Sequence, residues 1–321
     1  MNLQEFSEKL NKAFTTNIGI ELDEKKCEQF FDFMNMLIEK NKVMNLTSIT
    51  EPDEIIVRHF VDSCMPLRFY DEICENGFSR NKKIGEDGVN RSGAVKVVDC
   101  VDDTEALDKV RVGDRDGVVV GDRVVVGDGV RDGFMVGRLA TRLRKTRHAN
   151  FFYDAMICDI GTGAGFPGLP LAIVCDKAKF ILTDSLGKRI NFLSEVLDRI
   201  KITNVKLVKS RAEDFCNQSD FREKFDFVFS RGVAKLSVLS EYCLPAIKVG
   251  GKMISFKMNE IESELSESQN AIKTLGGMFH MKHTYDLIEG DPARCLLEIN
   301  KISKTPKAYP RKAGTPAKAP L

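Results

Sequence analysis

Apolar positions follow different periods in different parts of the chain. Over residues 1–70 they recur every three to four residues, the spacing of a helix with one buried face. In DEKKCEQFFDFMNMLIEKN this spacing predicts a helix carrying Cys27, Phe30, Phe31, Met34, Leu37 and Ile38 inward. The next stretch, KVMNLTSITEPDEIIVRHFVDSCMPL, reads as another helix. Thr50 is its expected N-cap, with Pro52 in the first turn and Asp53 three residues after the cap. Ile55, Ile56, Phe60 and Leu67 then face a core.

From residue 153 the pattern alternates. Short apolar runs stand at AMICDI (155–160), KFILTDS (179–185), NVKLVKS (204–210), FDFVFSR (225–231) and GKMISFK (251–257). Helical stretches separate them, as in GKRINFLSEVLDRI, where Ile190, Leu193, Val196, Leu197 and Ile200 share a face. Strands alternating with helices predict an α/β domain with a mostly parallel sheet covered on both sides. GGMFHMKHTYDL and RCLLEINKI, joined across EGDP, predict a closing hairpin that gives the sheet an antiparallel edge strand.

Between these regimes lies a stretch of different character. VRVGDRDGVVVGDRVVVGDGVRDG repeats Val runs and G-D or D-G steps without aromatic residues. It reads as a low-complexity insertion, expected to form a loose hairpin or to stay disordered. Its basic end, RLATRLRKTRH, reads as a helix with a solvated face. The expected organisation is an N-terminal helical region (1–70), the insertion (71–152), an α/β domain (153–303) and an extended basic, Pro-rich tail (304–321), which would clamp RNA or pack on its own domain through Tyr309 and the prolines.

Composition narrows the partners. Forty-eight Lys and Arg face 47 Asp and Glu, so a nucleic-acid surface would have to be local. Nine cysteines without a C-x-x-C pair fit free thiols in a reducing cytosol. No apolar run reaches the roughly 18 residues of a membrane span. The amphipathic start MNLQEFSEKLNKAF contains acids and does not resemble a signal peptide. A cytoplasmic protein is expected, and a monomer.

Candidate chemistry concentrates in CDIGTGAGFPGLP, at the end of the first α/β strand. Gly163, Gly165 and Gly168 match G-x-G-x-x-G, and Asp184 ends the next strand about 20 residues on, as in a dinucleotide site. A tight turn without ligand is a second reading. Two details favour S-adenosylmethionine. Asp159 stands two residues before Gly161 in a D-x-G-x-G-x-G run, the form that doubly wound methyltransferases carry. No later segment supplies the partners of hydride transfer. Asp184 would bond the ribose hydroxyls, and Gly161, Gly163 and Gly165 would let backbone approach the cofactor.

The acceptor is narrowed by what is missing. The stretch after the fourth strand reads FSRGVAKL, not the (N/D)-P-P-(Y/F) of exocyclic-amine methylation. No Pro-Cys pair offers a nucleophile for pyrimidine carbon. A ring nitrogen such as guanine N7 needs positioning only, and no general base. Arg231, ending the fourth strand, is the candidate to hold cofactor or base. His280 and His283 form H-x-x-H in a predicted strand, which sends them to opposite faces, so no metal site is expected.

Taken together, MNLTSITEPDEIIVRHFVDS, DIGTGAGFPGLPLAI, TDSLGKRINFL, SRAEDF, SRGVA and TPKAYPRKAGTPAKAPL resemble the bacterial glucose-inhibited division protein B family over 1–70 and 153–321. The resemblance implies a Rossmann-like class I methyltransferase with a seven-stranded doubly wound sheet. It implies S-adenosylmethionine as donor and N7 of a guanine in the 530 loop of 16S rRNA, in the small ribosomal subunit, as acceptor. It places Gly161, Phe166, Ala212, Glu213 and Arg231 at the cofactor. Arg58, His59, Lys188, Arg189, Arg311 and Lys312 are similar to the family's basic positions and become candidate RNA contacts. The chain departs from the family at Gly232, at Met258 and above all at the insertion. If the insertion obstructs the RNA face, the alternative is a ribosome-binding homologue with impaired catalysis.

Overall fold

The structure is a computed structural model that describes residues 1–75 and 152–321, together with 110–112, 118–120 and 123–125. Two compact units are present, Met1–Phe78 with Phe151–Leu321, and Ser79–Asn150.

The first unit opens with α1 (Leu3–Asn17) and α2 (Glu24–Met44). Both are capped from the sequence: Asn2 accepts from the Glu5 amide and Asp23 from the Lys26 amide. In α2, Phe33 is fully buried and Phe31 only partly. The predicted face of α2 was therefore rotated slightly from the real one, because Phe30, Phe31 and Phe33 all satisfy a hydrophobic count. Next come α3 (Pro52–Ile55), a π-helical turn (Ile56–Val61) and α4 (Asp62–Cys64). This helix starts one residue later than predicted. Glu51 is its cap residue, without a side-chain cap bond, and Pro52 occupies the first turn. Ile55, Ile56, Phe60 and Leu67 are buried as expected. Helix α5 (Tyr70–Glu75) and buried Phe152 belong to this unit, inside the span assigned to the insertion.

In the second unit β1 (Val110–Val112), β2 (Val118–Val120) and β3 (Arg123–Val125) pair as an antiparallel meander. The rest of the insertion, including the helix expected in RLATRLRKTRH, lies outside the described residues.

The α/β part runs β4 (Met156–Ile160), α6 (Gly168–Val174), β5 (Lys179–Asp184), α7 (Gly187–Ile200), β6 (Val205–Lys209) and α8 (Ala212–Asn217). It continues with β7 (Phe225–Arg231), α9 (Leu236–Cys243), β8 (Ile247–Met258), α10 (Glu262–Glu267), α11 (Gln269–Thr274), β9 (Gly277–Tyr285) and β10 (Arg294–Lys301). The sheet order is β6-β5-β4-β7-β8-β10-β9. All neighbours pair parallel except β10, which runs antiparallel to both β8 and β9. This is the doubly wound, mostly parallel seven-stranded sheet expected, with β9 as the antiparallel-paired edge.

Strand β7 is buried for six consecutive residues before Arg231, as a strand covered on both faces must be. The order reverses between β4 and β7, which opens a crevice at the strands' carboxyl ends. The N-terminal helices are not a separate layer. Phe6, Phe30, Phe33 and Phe60 share one apolar cluster with Phe166, Leu169, Phe192 and Phe229. Full burial of each such side chain contributes roughly 1.5–3 kcal/mol. Gln29 Nε2 adds a bond to the Ile200 carbonyl at 2.9 Å, closing the end of α7 against α2.

One further expectation fails for a local reason. A register shift opposite Glu298–Ile299 bulges β9. The extra residue brings His280 and His283 to the same carboxylate, Glu298, at 4.0 and 3.2 Å, instead of to opposite faces. Glu298 is also paired with Lys252 Nζ at 2.5 Å. Among the described residues no group of three or more His, Cys, Asp and Glu could hold a metal. The tail follows the packed reading, with Tyr309 against the core. It packs on the domain, with α12 (Thr315–Lys318) near its end and Pro310 and Pro316 buried.

Candidate functional site

A cavity of about 370 Å³ opens at the carboxyl ends of β4, β5 and β6. Such a volume lies within the roughly 300–1,000 Å³ of small-molecule sites. Gly161, Asp184, Ala212 and Glu213, all predicted at the cofactor, line it together. Gly163, Gly165, Phe166 and Arg231 are not among its lining residues.

The glycine loop is shaped by its own hydrogen bonds. Gly161 and Thr162 donate to the Thr183 carbonyl at 2.9 and 3.0 Å. Gly163 donates to Asp184 Oδ2 at 3.0 Å, and Gly165 and Phe166 both donate to the Thr162 carbonyl. At the entrance to α6, Gly168 donates to Asp159 Oδ2 at 2.9 Å and Leu169 to the Gly165 carbonyl. The amides that would cradle a pyrophosphate are thus spent within the protein. Asp159 takes the place an anion would take at the helix start. It is fully buried, and burial pushes its carboxyl up to about 6. Gly161 adopts φ +76°, and a Cβ there would stand 2.5 Å from Val233 Cγ2. The residue must be glycine for the loop after β7 to close on the loop after β4.

The cavity wall carries the acids Asp184 and Glu213 and the cations Arg189 and Arg211. Asp184 Oδ1 accepts from the Leu186 amide at 2.8 Å, and Oδ2 accepts from Gly163 and from Arg189 Nη1 at 3.2 Å. A carboxylate has about four lone-pair positions, so with three bonds accepted one position remains, on Oδ1, for a ligand hydroxyl. Thr183, another lining residue, leaves its buried Oγ1 without a hydrogen-bond partner among the described residues. Glu213 Oε1 accepts from the Gly314 amide at 2.7 Å. The acids suit a ligand with hydroxyls, and the loop amides, bonded within the protein, are not free to hold a pyrophosphate.

Beside the cavity, the π-helical turn builds a second group. Arg231 Nη1 donates to Asp62 Oδ2 at 2.8 Å, and its guanidinium lies 5.1 Å from the Phe166 ring centre. His59 stacks on Phe166 at 4.4 Å, and Phe33 stacks on the same ring at 5.3 Å. Phe166 therefore joins the glycine loop to the N-terminal helices. Arg231 is a donor only, so His59 Nδ1, 3.3 Å from its Nη2, accepts. The ring proton then sits on Nε2, which donates to Thr47 Oγ1 at 2.7 Å. Burial, reinforced by the Arg231 charge, lowers His59 to about 3. It is neutral at physiological pH.

Asp62 is the residue that sequence reasoning missed. Its side chain is 1% exposed and accepts from Arg231, from Arg294 Nη1 at 3.1 Å and from Tyr285 Oη at 2.8 Å. Its only signal was its place in the RHFVDS stretch.

The basic positions separate. Lys188 and Lys312 are exposed. Arg58 pairs with Asp291 at 2.8 Å, Arg189 with Asp184, and Arg311 with Glu241 at 2.6 Å. For His59 the expectation of a phosphate contact is corrected: the ring is buried, neutral and bonded on both nitrogens.

The family model described as GidB, rRNA small subunit methyltransferase G, matches residues 26–78 and 141–287. The chain belongs to this family. The matched ranges pass over 79–140, most of the insertion. Ribosomal RNA small subunit methyltransferase G of Lactobacillus johnsonii is 34% identical over 321 residues, covering all of both chains. The protein of the same description from Clostridium tetani is 34% identical over 97% of each chain. Among solved structures, an rRNA methylase from Streptococcus thermophilus aligns at a TM-score of 0.37 with 17% identity, over 47% of this chain and 89% of that one. No helix among the described residues is long and apolar enough to cross a membrane.

Proposed function

We propose that this member of the methyltransferase G family methylates N7 of a guanine in the 530 loop of 16S rRNA, using S-adenosylmethionine. The observation that carries the reading is the donor set of the cavity: loop amides spent internally, with Asp184 and Glu213 at its wall. S-adenosylmethionine supplies an electrophilic sulfonium methyl when bound. Asp184 would hold its ribose through a hydroxyl, the backbone at Gly161 would admit the methionine end, and Ala212 would lie along the base.

The surroundings also suit an acceptor that loses no proton. The imidazole beside the glycine loop, His59, is lowered to about 3 and its nitrogens are occupied. It is a poor general base. Guanine N7 carries an in-plane lone pair and needs none, so the protein's task is to hold the base in line and exclude water. Lys188 and Lys312 remain as the exposed candidates for phosphate contact.

The test is methyl transfer from labelled S-adenosylmethionine to 16S rRNA, free or in small subunits lacking the modification. The RNA is then digested to nucleosides. Label in 7-methylguanosine is the expected result. Label in another nucleoside would overturn the assignment of the acceptor atom.

A further inference from the structure

We propose that the C-terminal segment 304–321 is part of the cofactor site, a strap that forms one wall of the cavity and sets its affinity for the nucleoside. The proposal rests on the S-adenosylmethionine reading above. Gly314 and Ala317 line the cavity together with Ala212, Glu213 and Tyr242. The segment's described secondary structure is one four-residue helix, so its position is set from outside. Arg222 donates to the Tyr309 and Thr305 carbonyls at 2.8 and 3.0 Å. Glu241, 1% exposed in α9, receives the Arg311 amide at 2.7 Å, Nε at 3.0 Å and Nη2 at 2.6 Å. A buried carboxylate with this set of bonds fixes both the backbone and the guanidinium of the strap.

The last fastening is made at the cavity itself, where the Gly314 amide meets Glu213. This changes the part assigned to Glu213. With Oε1 spent on the strap, it is a positioning residue whose effect on the ligand passes through Gly314. Arg311 likewise anchors the strap, through Glu241. The Gly314–Glu213 bond places the strap at the start of α8, after β6, where Ala212 also lines the cavity; Asp184, which would hold the ribose, ends the neighbouring strand β5. A group bound past the ribose on that side is the base.

Ala317 is exposed, so enlarging it does not disturb a core. The experiment compares the full-length protein with Ala317→Trp and with Ala308→Trp. Ala308 is exposed on the same segment and is not among the cavity's lining residues. Binding of S-adenosylhomocysteine is measured by calorimetry, and methyl transfer by KM for each substrate. Ala317→Trp is expected to weaken S-adenosylhomocysteine at least tenfold and raise the donor KM alike. Its melting temperature without ligand and its KM for RNA should match those of Ala308→Trp. Unchanged S-adenosylhomocysteine affinity would overturn the proposal. So would an increase confined to the KM for RNA, which would make the strap an RNA contact. If the unmutated protein itself fails to bind S-adenosylhomocysteine, the cofactor reading above is what fails.

Discussion

Replacing Asp62 by Ala should be among the most damaging single changes in the molecule. The carboxylate is buried and holds Arg231 from β7, Arg294 from β10 and the Tyr285 hydroxyl from β9. All three strands belong to the α/β sheet, whereas Asp62 belongs to the N-terminal helices. The change leaves two guanidinium groups, 17% and 24% exposed, near one another without their shared counter-charge. Removing one partner of a buried pair costs roughly 3–5 kcal/mol. In a domain of this size each kcal/mol lowers the melting temperature by about 2–4 °C. Asp62→Ala should therefore lower it by roughly 6–20 °C on those scales. Asp62→Asn keeps the shape and one acceptor and should lie between. Arg231 also loses its anchor beside Phe166, so methyl transfer measured below the new transition should fall as well. Differential scanning calorimetry of Asp62→Ala, Asp62→Asn and the parent decides the matter. A melting temperature within about 2 °C of the parent for Asp62→Ala would refute the reasoning.

Other perturbations follow from the same geometry. Asp159 titrates near 6 when folded, against 3.8 as an unperturbed carboxyl, so between those values the folded state keeps a proton that the unfolded state has lost. Its contribution to stability is therefore greatest below about pH 4 and falls as pH rises to about 6, by roughly 3 kcal/mol in all. Asp159→Asn should flatten that part of the stability curve in chemical denaturation; an unaltered slope would contradict it. Gly161→Ala meets both the positive φ and Val233, and cofactor affinity should drop more than tenfold in calorimetry while the sheet still folds. Asp184→Ala removes the acceptor proposed for the ribose. Charge-assisted bonds of about 1.5–3 kcal/mol predict a roughly 10- to 100-fold loss of S-adenosylhomocysteine affinity. Lys188→Gln with Lys312→Gln should reduce the salt dependence of RNA binding in filter assays, by about one unit of slope for each phosphate no longer neutralised.

Much of the fold was legible because period and punctuation agree. Each run from AMICDI to RCLLEINKI became a strand of the sheet; the central β7 is continuously apolar because both its faces are covered, while the edge strands β6 and β9 mix polar residues and are partly exposed. The glycine loop was legible too, because close backbone approach demands glycine whatever the ligand. Its hydrogen bonding was not, and those bonds are what argue against a pyrophosphate. Asp62 and Glu241 were missed for a common reason. Each is a single acid on an amphipathic helix, and nothing local distinguishes a buried acid with distant partners from a solvated one. The arginines that bury them lie 169 and 70 residues away in sequence. The bulge that reunites His280 with His283 is a property of strand pairing, so alternation counted along β9 alone gave the wrong face. That the strap packs on its own domain was legible in Tyr309 and the prolines; its fastening by Arg222, Glu241 and Glu213 was not, since those partners are distant in sequence.

The most direct test of the proposed chemistry is to map the methylated base. Unmethylated small ribosomal subunits are incubated with the protein and S-adenosylmethionine, and the 16S rRNA is cleaved chemically at N7-methylguanine. The expected result is one new cut, within the 530 loop, dependent on both protein and donor. Transfer that produces no cut there, or bound cofactor with no transfer at all, would contradict it, the second outcome pointing to an RNA face obstructed by the insertion.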